Sequence, residues 1–315
     1  MNPLMIRPTL LGLAGASIIA LRWFQLRRAS TKNVPLWTLA PAVLCVVYVF
    51  FRAWIFGRTS AGSWYTFDPY TLYADLSFGF NPSLWTNRWV ERLGLYPMVS
   101  VVYESLVLAI ASTYALSLGR RGQPARVFAV MLLAGIVGIQ AYRLLPACGP
   151  VYLLGSECFL GEVPARCATI TAADLRPVAL DPSFPRNAMP SLHIAWALLV
   201  YWTIHRSSRW RWLALAYLIL TALATLAGGE HYLVDLVAAV PFALAMWALC
   251  CPLTWTPRRV LTIFGSVLEL LLWVVILRFF PALLWSSAIL PWLLSVLLVG
   301  SSIVAFRHLR QSFTA

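Results

Sequence analysis

Apolar segments recur along the chain at about 9–21, 35–56, 95–118, 127–146, 190–204, 212–228, 232–251, 260–280 and 283–305. Hydrocarbon leaves a run of this kind few choices. A span needs about 20 residues of helix, and backbone groups left unpaired cannot face lipid, so each segment has to satisfy its own hydrogen bonds as a helix. The expected fold is therefore all-α, a polytopic transmembrane helix bundle of about nine spans. Composition agrees: 61% of residues are hydrophobic and 11% charged, against roughly a quarter charged in an ordinary globular chain. With 315 residues the spans and their loops leave no length for a large soluble domain, and one unit is expected.

Charge in the connections supplies the orientation. Arg22, Arg27, Arg28 and Lys32 follow the first segment; Arg120, Arg121 and Arg126 the third; Arg206, Arg209 and Arg211 the fifth; Arg258 and Arg259 the seventh; Arg307 and Arg310 the ninth. These connections contain no carboxylate, whereas Asp68, Asp75, Glu91, Glu157, Glu162, Asp174, Asp181 and Glu230 fall in the others. The positive-inside rule makes the basic set cytoplasmic, with the N-terminus outside and the C-terminus inside. The first segment, with Arg7 before it, has the length of a signal peptide, but its cleavage would reverse every later loop. It is read as an uncleaved helix. The net charge of +13 sits in these clusters rather than on a basic face interleaved with aromatics, so no nucleic-acid partner is expected.

Two connections on the acidic side are long. The first, about 57–94, carries Trp64, Tyr65, Tyr70, Tyr73, Phe78, Phe80, Trp85 and Trp89. Such rings favour the membrane interface, and the loop reads either as a partly re-entrant cap on the bundle or as a guide for a lipid substrate. The second, about 147–189, holds Cys148, Cys158 and Cys167. A bridge between Cys158 and Cys167, the nearest pair, and three free thiols both fit the spacing. Cys45, Cys250 and Cys251 lie in or beside spans and read as packing residues. No zinc spacing is present.

Chemistry concentrates at two histidines. In a helix running on from Glu230, His231 and Asp235 are i and i+4, which sets a carboxylate beside an imidazole. His193 stands two residues after Ser191, at the start of another segment. On the topology above, Ser191, His193, His231 and Asp235 gather at one membrane face although they belong to separate helices. Pro190 suits a helix's first turn, leaving Ser191 and the next N–H groups exposed as an anion site. Arg143, ending the fourth segment, and Arg186 are the guanidinium groups placed to grip a phosphate. His205 and His308 sit among cytoplasmic arginines. Glu230 either tunes its neighbour or marks the loop, and Glu269 within the eighth segment calls for a polar partner in the bundle.

Pro190-Ser191-Leu192-His193 and His231-Tyr232-Leu233-Val234-Asp235 resemble the second and third motifs of the type 2 phosphatidic acid phosphatase superfamily. The likeness is closest to its inositol phosphorylceramide synthase and sphingomyelin synthase branch, which Tyr142 to Pro150 also resembles. It covers about 35–251, implying a six-helix core, with 1–34 as an extra span and basic loop and 252–315 as two extra spans. By that resemblance His231 attacks phosphorus and becomes a phosphohistidine, Asp235 orients it, and His193 protonates the leaving oxygen before activating the acceptor. Ser191, Arg143 and Arg186 would stabilise the phosphoryl oxygens. No metal or other cofactor is implied. The chain departs from the family pattern in three ways: its only lysine is Lys32, on the wrong side; Thr225 replaces an arginine six positions before His231; and Leu192 stands where many members have glycine.

The expectation is an integral-membrane lipid phosphatase or phosphotransferase, placed in the plasma (inner) membrane with its site on the non-cytoplasmic face. Phosphatidic acid, polyprenyl diphosphates and inositol or choline phospholipids are the candidate substrates, and water or an alcohol the acceptor. A transporter or flippase relaying protons through the same residues would show inverted repeats, which are not evident. A membrane glycosyltransferase would use Asp68 or Asp75.

Overall fold

A computed structural model describes residues 3–29, 34–47, 65–120, 123–159, 170–205, 209–250 and 255–311. The chain is overwhelmingly helical: α1 (Pro3–Ala29), α2 (Leu36–Val47), α3 (Asp68–Leu76), α4 (Pro82–Arg92), α5 (Tyr96–Glu104), α6 (Leu106–Ser117), α7 (Gln123–Ala141), α8 (Pro150–Leu154), α9 (Leu192–Ile204), α10 (Arg211–Ala227), α11 (Leu233–Leu249), α12 (Pro257–Phe279) and α13 (Leu290–Gln311). One antiparallel pair, β1 (Tyr65–Thr66) with β2 (Val178–Ala179), joins the two long connections. Among the described residues four helices are long and apolar enough to cross a membrane: α1, α7, α12 and α13. The helices α2, α9, α10 and α11 are apolar but shorter.

The segment expected as one span over 95–118 is broken. α5 and α6 meet at Ser105 with a bend of 53°. Ser105 Oγ turns back to donate to the Val102 carbonyl at 2.9 Å, a local bond that competes with the helical ladder and bends it.

α11 is the centre of the bundle, packed by α9 on one side and by α12 and α13 on the other, with α7 beside it. Its sequence has no polar stripe, the mark of a helix buried all round. Ala238, Ala239, Ala243 and Ala248 are wholly buried, and such small residues let neighbouring backbones come close. Trp273 of α12 is buried against it and donates Nε1–H to the Val234 carbonyl at 3.0 Å. At the far end Arg259, also buried, donates from Nε to the Ala248 carbonyl at 2.9 Å and from Nη2 to that of Leu249 at 2.8 Å, satisfying carbonyls the helix leaves open. Between α12 and α13, Ser301 and Ser302 donate to the two Glu269 carboxyl oxygens at 2.6 and 3.2 Å, which is the polar partner that Glu269 needs in an apolar setting.

The aromatic connection is divided: Tyr65, Phe80, Trp85 and Trp89 are exposed, whereas α3 turns inward. Leu72, Tyr73, Ala74 and Asp75 of α3 are buried, and the helix is wedged among α8, α11, α12 and the turn at Pro281–Trp285. Tyr73 stacks on Trp285 at 5.0 Å. In the second long connection Cys158 is disulfide-bonded and Cys148 is a free, buried thiol. Cys167, its expected partner, lies outside the described residues, as does Lys32.

Candidate active site

His231 sits in a clamped turn rather than in a helix. α11 begins at Leu233, with Tyr232 as the cap, so the expected helix from Glu230 starts three residues late. The reason is Asp235, whose Oδ2 accepts the Tyr232 N–H at 2.8 Å and closes the first turn as a capping carboxylate does. The expected proximity survives in another form: Asp235 Oδ2 is 3.6 Å from His231 Nδ1. The closer partner of Nδ1 is the Ala188 carbonyl at 3.0 Å. A carbonyl can only accept, so Nδ1 is the donor, and in the neutral tautomer that this bond selects, Nε2 holds the lone pair. His231 is 3% exposed.

The turn before it is held by two helices, α4 and α8. Ser83 of α4 donates to the His231 carbonyl at 2.9 Å and Asn87 to that of Ala227 at 2.7 Å. The Val151 N–H of α8 donates to Gly229 at 2.9 Å, and the Tyr152 hydroxyl to Glu230 Oε2 at 3.0 Å. Gly149 has φ of +121°, and a Cβ there would run into the Glu230 carbonyl, so glycine is required both by the dihedral and by the close approach.

His193 occupies the first turn of α9, which Ser191 caps with its Oγ facing the Ile194 N–H at 3.5 Å. Pro190 precedes the cap and is not in the helix, a correction to the expected first-turn proline. Ser191 is wholly buried instead of exposed, and its N–H donates to the Asp235 carbonyl at 3.2 Å, tying the start of α9 to α11. The two imidazoles from these separate elements stand with ring centroids 6.1 Å apart and planes at 64°. Leu192, the unusual residue of its motif, fills the space over Gly138 of α7, where any Cβ would collide with it. Tyr103 of α5 stacks face to face on His193, with centroids at 4.0 Å and planes at 14°.

Two acids read in the sequence as loop markers are scaffolding beneath this site. Asp75 accepts the Leu233 N–H at 2.8 Å and the Val234 N–H at 3.0 Å. Asp68 accepts the N–H groups of Cys148 and Gly149, the latter at 2.8 Å, and the Tyr232 hydroxyl at 2.8 Å. Both are fully buried, and neither is presented to a sugar donor as a glycosyltransferase would require. Burial pushes the Asp68 carboxyl up, against the pull of its backbone donors. Burial and then the neighbouring Asp235 push Asp75 well above the usual carboxylate range. Nothing local in the sequence marks these acids, since their partners lie some eighty to 164 residues away.

The arginines are placed differently from one another. Arg186 is 2% exposed and donates to the Asp181, Phe184 and Leu180 carbonyls, leaving Nε as its one buried donor without a partner. Arg143 is exposed beyond the end of α7, and no described contact joins it to either histidine. Thr225, which stands where the family pattern has an arginine, is buried and donates to the Ala222 carbonyl at 2.9 Å. Glu230 is half-buried, and burial holds its carboxyl above the usual range. Among the described residues no group of three or more His, Cys, Asp and Glu is placed to hold a metal ion.

Long apolar helices, consistent with an integral membrane protein, surround a pair of imidazoles, one with a carboxylate behind it. The chain belongs to the PAP2 superfamily: the family model PAP2_3 matches residues 71–249, a stretch that runs from α3 to the end of α11 and includes both histidines. No curated protein and no solved structure matches it.

Proposed function

We propose that the protein is an integral-membrane lipid phosphatase or phosphotransferase working through a phosphohistidine on His231. The observation that carries this reading is the 6.1 Å separation of the His193 and His231 rings, with Nδ1 of His231 committed to a carbonyl. Nε2 of His231 attacks phosphorus as the bond from phosphorus to the ester oxygen breaks, and His193 gives that oxygen its proton. His193 then takes the proton of water or an alcohol, whose oxygen attacks phosphorus as the nitrogen–phosphorus bond breaks. Asp235, 3.6 Å from the protonated nitrogen, supports the positive charge that the His231 ring acquires. Arg186, through its unpartnered Nε–H, and Arg143 are the cations proposed for the phosphoryl oxygens, with Ser191 fixing the turn that carries His193.

The same reading places α1, α2, the α5–α6 pair, α7, α9, α10, α11, α12 and α13 as nine spans. The core then runs over 35–251, with the histidines on the non-cytoplasmic face of the plasma membrane. Support comes from the alternation of basic and acidic connections and from the helical segments found at each apolar run. The third-motif form His231-Tyr232-Leu233-Val234-Asp235 favours the headgroup-transferring branch of the superfamily.

The test is to give purified protein phosphatidic acid, a polyprenyl diphosphate and inositol or choline phospholipids, in the presence of a chelator and with or without alcohol acceptors. Release or transfer of phosphate, with acid-labile label trapped on His231, is expected. Turnover without such label, or label elsewhere, overturns the mechanism.

A further inference from the structure

Resting on the acid role proposed for His193, we infer that Tyr103 is a positioning residue for that imidazole, aiming its edge at the leaving oxygen. The proton of an imidazole travels in the ring plane, so whatever fixes the plane fixes the direction of transfer. Rotation about the bond that joins an imidazole ring to its Cβ is broad and only weakly preferred, and being on a helix does not settle it. The Tyr103 ring does: it covers one face of His193 at 4.0 Å and 14°, leaving the 64° edge-on relation to His231. Tyr103 is itself firmly mounted. Its neighbour Val102 has a carbonyl that accepts from both Ser105 Oγ at 2.9 Å and the Tyr217 hydroxyl of α10 at 3.2 Å, so the break between α5 and α6 is pinned where it delivers the ring. The break in a span that the sequence reads as continuous thus acquires a purpose.

The experiment reads kcat/KM, which reports the steps up to release of the leaving alcohol, on two probes. Dioctanoyl phosphatidic acid has a basic leaving oxygen that needs a proton; p-nitrophenyl phosphate has one that does not. Tyr103→Leu is expected to lose about tenfold to a hundredfold on phosphatidic acid and no more than about threefold on the nitrophenyl ester, while Tyr103→Phe restores most of the loss because the ring suffices. His193→Ala should show the same dependence on the leaving group, more strongly. Equal losses on both probes in Tyr103→Leu, or no loss on either, overturn the positioning role. A His193→Ala variant indifferent to the leaving group instead removes the acid assignment on which the inference rests, and the two failures are thereby told apart.

Discussion

The two ends of α11 are closed by an acidic and a basic side chain, and they do different work. At Leu233 and Val234 a buried carboxyl, Asp75, meets the open N–H groups; at Ala248 and Leu249 a buried guanidinium, Arg259, meets the open carbonyls. Each group suits its end of the helix, oxygen acceptors meeting open N–H groups and N–H donors meeting open carbonyls. Yet Asp75 comes from 158 residues earlier, on a helix that also packs around the histidine turn, whereas Arg259 follows ten residues on from Leu249. One cap builds a site and the other only finishes a helix. Capping energy alone does not reveal function; what the capped turn carries does.

The largest effect expected at the first end is chemical. His231→Ala should lower turnover by about a thousandfold or more, a loss far beyond what the accompanying destabilisation of about 1–3 kcal/mol from the unpaired Ala188 carbonyl can explain. Normal turnover in that variant would break the contrast between the two ends. Next, Asp75→Ala strands two buried N–H groups and should cost about 2–4 kcal/mol, with activity per folded molecule falling as well because the His231 turn loses its floor. Asp68→Ala, which frees Tyr232 and the Cys148–Gly149 amides, should behave similarly, contrary to what a loop marker would do. Denaturation in detergent followed by assay of the folded fraction separates the two readings.

Arg259→Ala sharpens the comparison from the other side. A loss of about 1–3 kcal/mol is expected, with activity per folded molecule within about twofold of wild type. A selective loss of activity there would show that both ends of α11 speak to the site. The smallest effect concerns charge beside the histidine. Burial raises the Glu230 carboxyl above its usual value of 4.5, so the folded state holds its proton to higher pH than the unfolded chain does. Stability from this group is complete below about pH 4.5 and declines as pH rises through the raised value. Glu230→Gln should flatten that decline in melting temperature, and an unchanged slope would assign it to another group.

Much of the bundle was readable because its signals are local. Each apolar run found a helix, and the alternating connections and two histidine motifs needed only neighbouring residues to be recognised. The proximity of Asp235 to His231 was also legible, although the expected helical i and i+4 relation was not how it arose. A capping carboxylate started α11 at Leu233, and spatial closeness persisted across the cap. The segment expected as a span over 95–118 is long and apolar enough when α5 and α6 are taken together, but the pair is bent by 53° for a comparable reason. One hydroxyl at Ser105, bonding to its own backbone, outweighed an apolar pattern that treats every position alike.

Other features are pairings across long stretches of chain: Asp68 with Tyr232, Asp75 with the start of α11, Tyr103 with His193, and Leu192 with Gly138. Hydrophobicity and residue order determined that this chain must bury itself as helices and which residues could do chemistry, because lipid requires each segment to satisfy its own backbone. Only the tertiary packing decided which acids became caps, which nitrogen of His231 kept its lone pair and which ring held His193. Those choices depend on distances between elements, and a local pattern does not contain them.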